Sequence, residues 1–402
     1  MLRQATEGLL INFLNNKGKR MIEGIKFSGI ESGIKAKGLD LGLVLFDRDM
    51  HCFAAYTRNR VKAAHIHYNR KQNTDAVRAI LVNSGCANAC TGRQGIEDLI
   101  SISDKLSCAL GIRNNQILFV STGVIGKRLQ KDLIINKIPE LLASLHENNI
   151  HVFASAIMTT DTFQKIVKFS FEGEKKYSLI GVAKGAGMIN PLFATMLVFL
   201  FTDYPVLSNA FSPYFKKCVK ETFERITVDG ECSTNDTVML FSKKGQEDSS
   251  CFDKFKDAVF KVMKELSLMV IKDGEGATKV IHIIIKGAKN KGIAERIARR
   301  VATSLLSKTA FFGCDPNWGR FIAAAGDAGV PLDPDRVEII LEGVTLARDG
   351  MEIPFDEEKL KHLMNKKDIE LIINLHSGKA SFDIYTTDLT YDYVKINASY
   401  RS

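Results

Sequence analysis

Short apolar runs rich in β-branched residues recur along the whole chain and alternate with segments of helical period. That alternation limits the fold to mixed sheets covered by helices. The runs predicted as strands are Leu41–Phe46, Ala79–Asn83, Ile117–Ser121, Lys165–Phe171, Ser178–Val182, Met196–Thr202, Thr237–Phe241, Val280–Lys286, Val337–Leu341, Ile369–Leu375 and Ser381–Tyr385. Gly, Asn or Asp bounds most of them. Apolar residues at steps of three and four predict helices over Ile96–Leu110, Gln130–Leu145, Ser212–Arg225, Phe252–Leu268 and Lys291–Ser307. Ser212 before Pro213 fits an N-cap and a first helical position, and Ser250 is placed to cap the fourth helix. Lys243–Ser250 and Arg348–Glu358 read as charged surface loops. No long Pro/Ser/Gly-rich linker and no repeat interrupts the pattern, which predicts an α+β class.

With 402 residues and 45% hydrophobic content, the chain can bury one large core or two lobes. No apolar run reaches the length that spans a bilayer. The net charge of +9 comes from scattered Lys and Arg, and the single Trp stands in no aromatic–basic motif, so nucleic acid is not an expected partner. Eight cysteines are present, none in CxxC spacing, and Cys86 and Cys90 have no matching pair downstream, so no metal site is expected. Dispersed cysteines fit a reducing cytosol, and Met1–Arg20 lacks the order of a signal peptide, reading instead as a helical start.

The segment Lys184-Gly185-Ala186-Gly187-Met188-Ile189-Asn190-Pro191-Leu192-Phe193-Ala194-Thr195-Met196-Leu197 runs straight into the apolar stretch Val198–Phe201. On composition alone Thr195 is a β-branched residue opening a buried strand. The sharper reading is chemical. A threonine hydroxyl becomes a useful nucleophile when its own free α-amine can take its proton, which requires the peptide bond before it to open. Ala194 is small enough to leave its carbonyl open to attack, and Gly185 and Gly187 permit a tight turn nearby.

Other polar segments carry weaker signals. The strand tip Ser121-Thr122-Gly123-Val124-Ile125-Gly126 is a plain turn, or one that aims backbone N–H groups into a cleft as an oxyanion hole requires. Met158-Thr159-Thr160-Asp161-Thr162 reads as a cap or Asx-type turn, with ligand binding the alternative. Thr227–Thr237 is by default a surface loop, with a loop that lines the site the alternative. Glu275 lies between Gly274 and Gly276, in a hairpin or free to approach a cationic ligand, and the Walker spacing is missing. Phe312–Arg320 holds the tryptophan and reads as a rigid corner; Tyr391–Ser402 is too aromatic for a frayed tail.

Taken together, Lys184–Ile189, Pro191, Ala194–Leu197, Ser121–Gly126, Met158–Thr162, Ser233–Thr237, Asp315–Arg320 and Tyr393–Asn397 resemble the ornithine acetyltransferase family of arginine biosynthesis, in the same order from about Ile22 onward. The resemblance implies a layered β/α/α/β sandwich of the type shared with self-cleaving aminopeptidases, with a smaller C-terminal lobe. It also implies cleavage between Ala194 and Thr195 into an alpha fragment, 1–194, and a beta fragment, 195–402, forming one intertwined catalytic unit and a heterotetramer of two of each. Thr195 then accepts the acetyl group of N2-acetylornithine and passes it to glutamate. Thr122 and Gly123 match the oxyanion hole; Thr159, Lys184, Thr195, Glu275, Asn397 and Ser402 match substrate-binding positions. The implied enzyme is cytoplasmic and needs no cofactor or metal, with acetyl-CoA a further donor that some members accept. A self-cleaving amidase or aminopeptidase is the alternative activity. Residues 1–20, Cys86 (more often Asn) and His65 (usually Pro) depart from the family pattern.

Overall fold

The computed structural model describes residues 21–190, 196–206 and 208–399, with the side chains of 208–210 left aside. Ala194, Thr195, Ser402 and residues 1–20 therefore lie outside the described residues. In chain order the first half holds β1 (Ile25–Ile30), β2 (Leu41–Tyr56), α1 (Ala64–Asn69), β3 (Val77–Asn83), α2 (Gly92–Leu110), β4 (Ile117–Ser121), α3 (Lys131–Ala143), α4 (Ile150–Ile157), β5 (Lys165–Glu172) and β6 (Lys176–Lys184). Then come β7 (Leu197–Thr202), α5 (Ser208–Thr222), β8 (Ile226–Thr227), β9 (Thr237–Lys243), α6 (Phe252–Lys272), β10 (Val280–Ala288), α7 (Lys291–Ala302), α8 (Leu305–Phe312) and α9 (Trp318–Gly326). The chain closes with β11 (Glu338–Leu341), β12 (Val344–Arg348), β13 (Met351–Glu352), α10 (Glu357–Met364), β14 (Asp368–Asn374), β15 (Ala380–Thr387) and α11 (Tyr391–Ser399).

Two mixed sheets result, and the expected α+β class holds. The first runs β4-β3-β2-β9-β7-β6-β5, with β1 added on β2; the second runs β13-β12-β11-β14-β10-β15-β8. In the first sheet β7 and β9 are buried almost throughout, which explains their continuous apolar sequence. One face lies under α4, whose Phe153 packs 5.7 Å from Phe199 and 5.9 Å from Phe27, centroid to centroid. The opposite face is covered by α5 and α6, through Phe211, Phe215, Phe255 and Leu266. Beyond α6 stands the second sheet, with its own core of Ile281, Ile283 and Ile285 against Ala294, Ile297 and Val301 of α7. This is the smaller C-terminal lobe.

Each predicted strand is present. The predicted helices are also present, with three corrections. The third begins at Ser208, so Pro213 lies inside α5 and Ser212 is not its cap. Near a helix start the missing proline N–H deprives only one carbonyl of its partner, so the turn survives. Asp248, not Ser250, caps the turn ahead of α6, accepting from the Ser250 backbone N–H at 3.1 Å and its hydroxyl at 2.6 Å. Ser250 lies inside that turn, two residues past the cap position, so its hydroxyl donates to Asp248 instead of accepting a helix N–H. The helix predicted over 291–307 is two, because Ser304 leaves helical geometry and its hydroxyl accepts from Ser307 N–H. Part of the loop expected over Arg348–Glu358 forms β13 and opens α10.

Candidate active site

Three neighbouring strands bring their ends together. β6 pairs antiparallel with β7, placing Lys184 beside Leu197, and β7 pairs parallel with β9, placing Leu197 beside Thr237. Thr195 itself lies outside the described residues, two positions ahead of Leu197 in the sequence. Here the strand ends open on a cavity lined by Thr122, Gly123, Thr159, Lys184, Glu275 and Asn397. Those are six of the positions singled out from the sequence, drawn from segments as far apart as residues 122 and 397. Thr195 and Ser402 fall outside the described residues.

Lys184 is the cavity's cation. It is buried, and its ammonium donates to Thr159 Oγ1 at 2.7 Å and to Thr122 Oγ1 at 3.3 Å. Burial pulls its pKa down, while Asp161 and more weakly Glu275 and Asp236 push it back up. Asp161 stands just behind, accepting from Gly185 N–H at 2.6 Å, Thr159 N–H at 3.1 Å and Lys165 Nζ at 2.6 Å. Burial raises the Asp161 carboxyl, but the charges of Lys184 and Lys165 outweigh it and hold the group below its ordinary range. Lys165, fully buried, also reaches Asp273 at 2.5 Å, and Asp273 accepts from the Thr162 backbone N–H. The Met158–Thr162 turn therefore makes the local turn bonds of its bland reading while presenting the Thr159 hydroxyl to the cavity.

At the tip of β4 the donor differs from the expectation of two backbone N–H groups. Thr122 N–H is bonded to Asn83 O at 3.0 Å, so the donor Thr122 retains for the cavity is its hydroxyl. The next residue, Gly123, has φ +127°, and a Cβ there would stand 2.4 Å from the Gly85 carbonyl carbon. Only glycine fits both the backbone angle and the approach.

Thr227–Thr237 is not a surface loop. Ser233, Thr234, Asn235 and Asp236 are buried, and Asp229, Glu231, Ser233 and Asn235 line the cavity. Asn235 Nδ2 ties the loop to the β4 tip through Ser121 O and to the segment after β3 through Ala87 O, each at 2.7 Å. Asp229 accepts N–H groups from Met188 at 2.6 Å and Ile189 at 2.9 Å, fixing the turn that leads toward the Ala194–Thr195 bond. Burial holds the Asp229 carboxyl up at about 6 against three backbone hydrogen bonds. Glu275 faces the cavity, where it accepts from Asn397 Nδ2 of α11 at 2.9 Å. That contact gives the C-terminal helix a role in the site, and Tyr393 on the same helix lines the wall.

Of the three departures from the family pattern, the two within the described residues are buried side chains. His65 is buried, with Nε2 3.2 Å from Thr237 Oγ1 and a pKa pushed down to about 3 by desolvation. Cys86 is also buried, its thiol against Lys127 O at 3.3 Å. Sequence reading missed Asp229, Glu231, Ser233, Asn235 and Tyr393 as lining residues; the signal present was a polar run placed immediately before a buried strand. Among the described residues no three His, Cys, Asp or Glu side chains are grouped to hold a metal ion.

The cavity can thus hold a small zwitterion, with hydroxyls and one ammonium for carbonyl or carboxylate oxygens and Asp229, Glu231 and Glu275 for ammonium groups. Comparison with known proteins agrees in scale with this arrangement. An arginine biosynthesis bifunctional protein ArgJ from Desulfotalea psychrophila is 44% identical over 391 residues, 95% of this chain and 100% of that protein. Another of that name, from Geobacter sulfurreducens, is 40% identical over the same shares. A glutamate N-acetyltransferase from Methanopyrus kandleri is 38% identical over 92% of this chain and 97% of its own length. The ArgJ family model matches residues 26–402, a span that contains every strand end and loop of the cavity, and with relatives this similar over their full length the chain belongs to the ArgJ family.

Proposed function

We propose that the chain opens its own Ala194–Thr195 bond and then moves the acetyl group of N2-acetylornithine to glutamate through an ester on Thr195. The Thr195 hydroxyl attacks the acetyl carbonyl while the residue's own α-amine takes the hydroxyl proton. The tetrahedral oxyanion is met by the Thr122 hydroxyl and the Gly123 N–H. Collapse breaks the C–N bond, and the proton on the Thr195 amine goes to the leaving nitrogen, releasing ornithine. Glutamate's amine attacks the ester in turn, so N-acetylglutamate leaves and the hydroxyl is restored. The step belongs to arginine biosynthesis.

One observation carries this reading: the hydrogen-bonded cluster of Lys184, Thr159 and Thr122 lies where β6 ends beside Leu197, with Glu275 on the same cavity. A ligand with a carbonyl or carboxylate at one end and an ammonium at the other matches it. Self-cleavage leaves the two fragments joined, because β6 of the alpha fragment and β7 of the beta fragment pair along six residues from Leu179↔Thr202 to Lys184↔Leu197. Two such pairs make the heterotetramer we assign, and the free state of all eight cysteines supports a cytoplasmic setting.

The test is product balance. Purified protein given N2-acetylornithine and glutamate is expected to release ornithine and N-acetylglutamate in equal amounts. Acetate in place of N-acetylglutamate would make the enzyme an amidase. Acetyl-CoA with glutamate alone, followed by thiol release, decides whether that donor is also used.

A further inference from the structure

α11 carries Asn397 to the cavity, yet none of its nine residues is buried, and Tyr391 and Val394 are 83% and 58% exposed. A helix this short is marginal in water, and without a buried face it gains little from packing. Contacts near its N-terminal end must therefore set where it points. Tyr391 meets Phe312 edge-on at 5.6 Å, and the Tyr393 phenol hydrogen-bonds to Asp229. Two further bonds converge on a single hydroxyl.

Thr390, buried directly before α11, accepts the Tyr393 backbone N–H at 3.1 Å and so caps the helix. The same Oγ1 donates to Gly276 O at 2.7 Å, the carbonyl of the residue that follows Glu275. One atom thus serves both elements, its proton on the loop and a lone pair on the helix. Loop and helix touch at this point: Gly276 has φ +63°, and a Cβ there would stand 2.5 Å from Tyr393 N. Just ahead of Thr390, buried Asp388 accepts from Thr278 N–H at 2.9 Å and Lys279 N–H at 3.0 Å, which joins the two segments further. Two turns along α11, Asn397 Nδ2 donates to Glu275 Oε2 at 2.9 Å and to Tyr393 O at 3.1 Å.

We infer that Thr390 is a positioning residue that sets Asn397 against Glu275 and thereby shapes the grip on the substrate's ammonium. The inference rests on the reading above, in which Glu275 receives that ammonium. The cluster of Lys184, Thr159 and Thr122 belongs to other elements: β6, the turn after α4 and the tip of β4. A change at Thr390 therefore reaches the substrate first through Glu275 and Asn397. Loss of its hydroxyl should weaken capture and spare turnover, the mark of binding shared by ground state and transition state.

The experiment measures kcat and KM for N2-acetylornithine in the full chain and in Thr390→Val, which keeps threonine's shape without the hydroxyl. KM is expected to rise about tenfold, the scale of one or two lost hydrogen bonds, with kcat within about threefold of wild type. Thr390→Ser keeps the hydroxyl and should return KM to within about twofold of wild type. A double-mutant cycle with Asn397→Ala separates positioning from general loosening. If Thr390 acts through Asn397, the valine change adds less than about twofold to KM in the Asn397→Ala background. The assignment is overturned by a valine variant with wild-type KM, by a serine variant as poor as valine, by a loss confined to kcat, or by effects on KM that multiply in the cycle. Should the valine variant not fold, Gly276→Ala is read in its place, because its Cβ presses on the same contact from the loop side. A raised KM with kcat within about threefold is then expected, and an unchanged KM overturns the idea. A wild type that transfers no acetyl group, or a Glu275→Gln variant with unchanged KM, removes the binding reading and the inference with it. An active wild type and an impaired Glu275→Gln beside an unaffected valine variant remove the inference alone.

Discussion

The Lys184 ammonium lies 2.7 Å from the Thr159 hydroxyl, joining the end of β6 to the turn that follows α4. Thr122 Oγ1 is the second acceptor, at 3.3 Å, so one cation orders two hydroxyls from separate segments. Replacing Lys184 with Met removes the cation and keeps the volume. Transfer should fall by about 100-fold or more in kcat/KM, comparable to losing one preorganised donor of a transition-state site. Steady-state kinetics with N2-acetylornithine checks this. A loss under about tenfold would mean that Lys184 only braces the turn.

Behind that cation lies a buried network in which Lys165 bridges Asp161 and Asp273. Breaking such a network by removing one partner strands the others without compensation, at about 3–5 kcal/mol. Lys165→Met is therefore expected to lower stability by that amount, measured by denaturant unfolding, and to loosen the Thr159 turn. Asp273→Asn should cost less, because one carboxylate would still pair with Lys165.

Much of this fold was legible in the sequence, for identifiable reasons. The strands of both cores are short, β-branched and bounded by turn residues, so Leu197–Thr202 and Val280–Ala288 stand out unaided. What escaped detection lacked either period or length. β1 reads as Ile-Lys-Phe-Ser-Gly-Ile, with Lys, Ser and Gly interrupting its apolar residues; the structure needs Gly29 there because a Cβ would meet Val152 O at 2.7 Å. α4 is apolar nearly all round, since it is buried against the sheet, and periodicity cannot assign such a segment. Motifs located six lining residues, whereas Asp229 and Asn235 look like ordinary turn formers until tertiary packing turns their loop inward.

Stability should carry a signature of Asp229. Its carboxyl titrates near 6 in the folded protein against an ordinary value of 3.8, burial being the main cause. Between roughly pH 4 and 6 the folded chain therefore holds a proton that the unfolded chain has released. The contribution is fully present below about pH 4 and is lost as pH rises through about 6. Compared with Asp229→Asn, whose amide does not titrate, wild type should lose up to about 3 kcal/mol over that window. Denaturation midpoints at pH 4, 5, 6 and 7 give the difference, and any constant cost of the substitution cancels. A gap that stays flat across the series would contradict the assignment.

The state of the bond between residues 194 and 195 tests the account most directly. Intact-mass measurement and N-terminal sequencing of purified wild type should find two fragments, 1–194 and 195–402, the second beginning Thr-Met-Leu-Val. Thr195→Ala should remain one chain of 402 residues and transfer no acetyl group. An uncut wild-type chain with full transferase activity, or a cut and active Thr195→Ala variant, would contradict it.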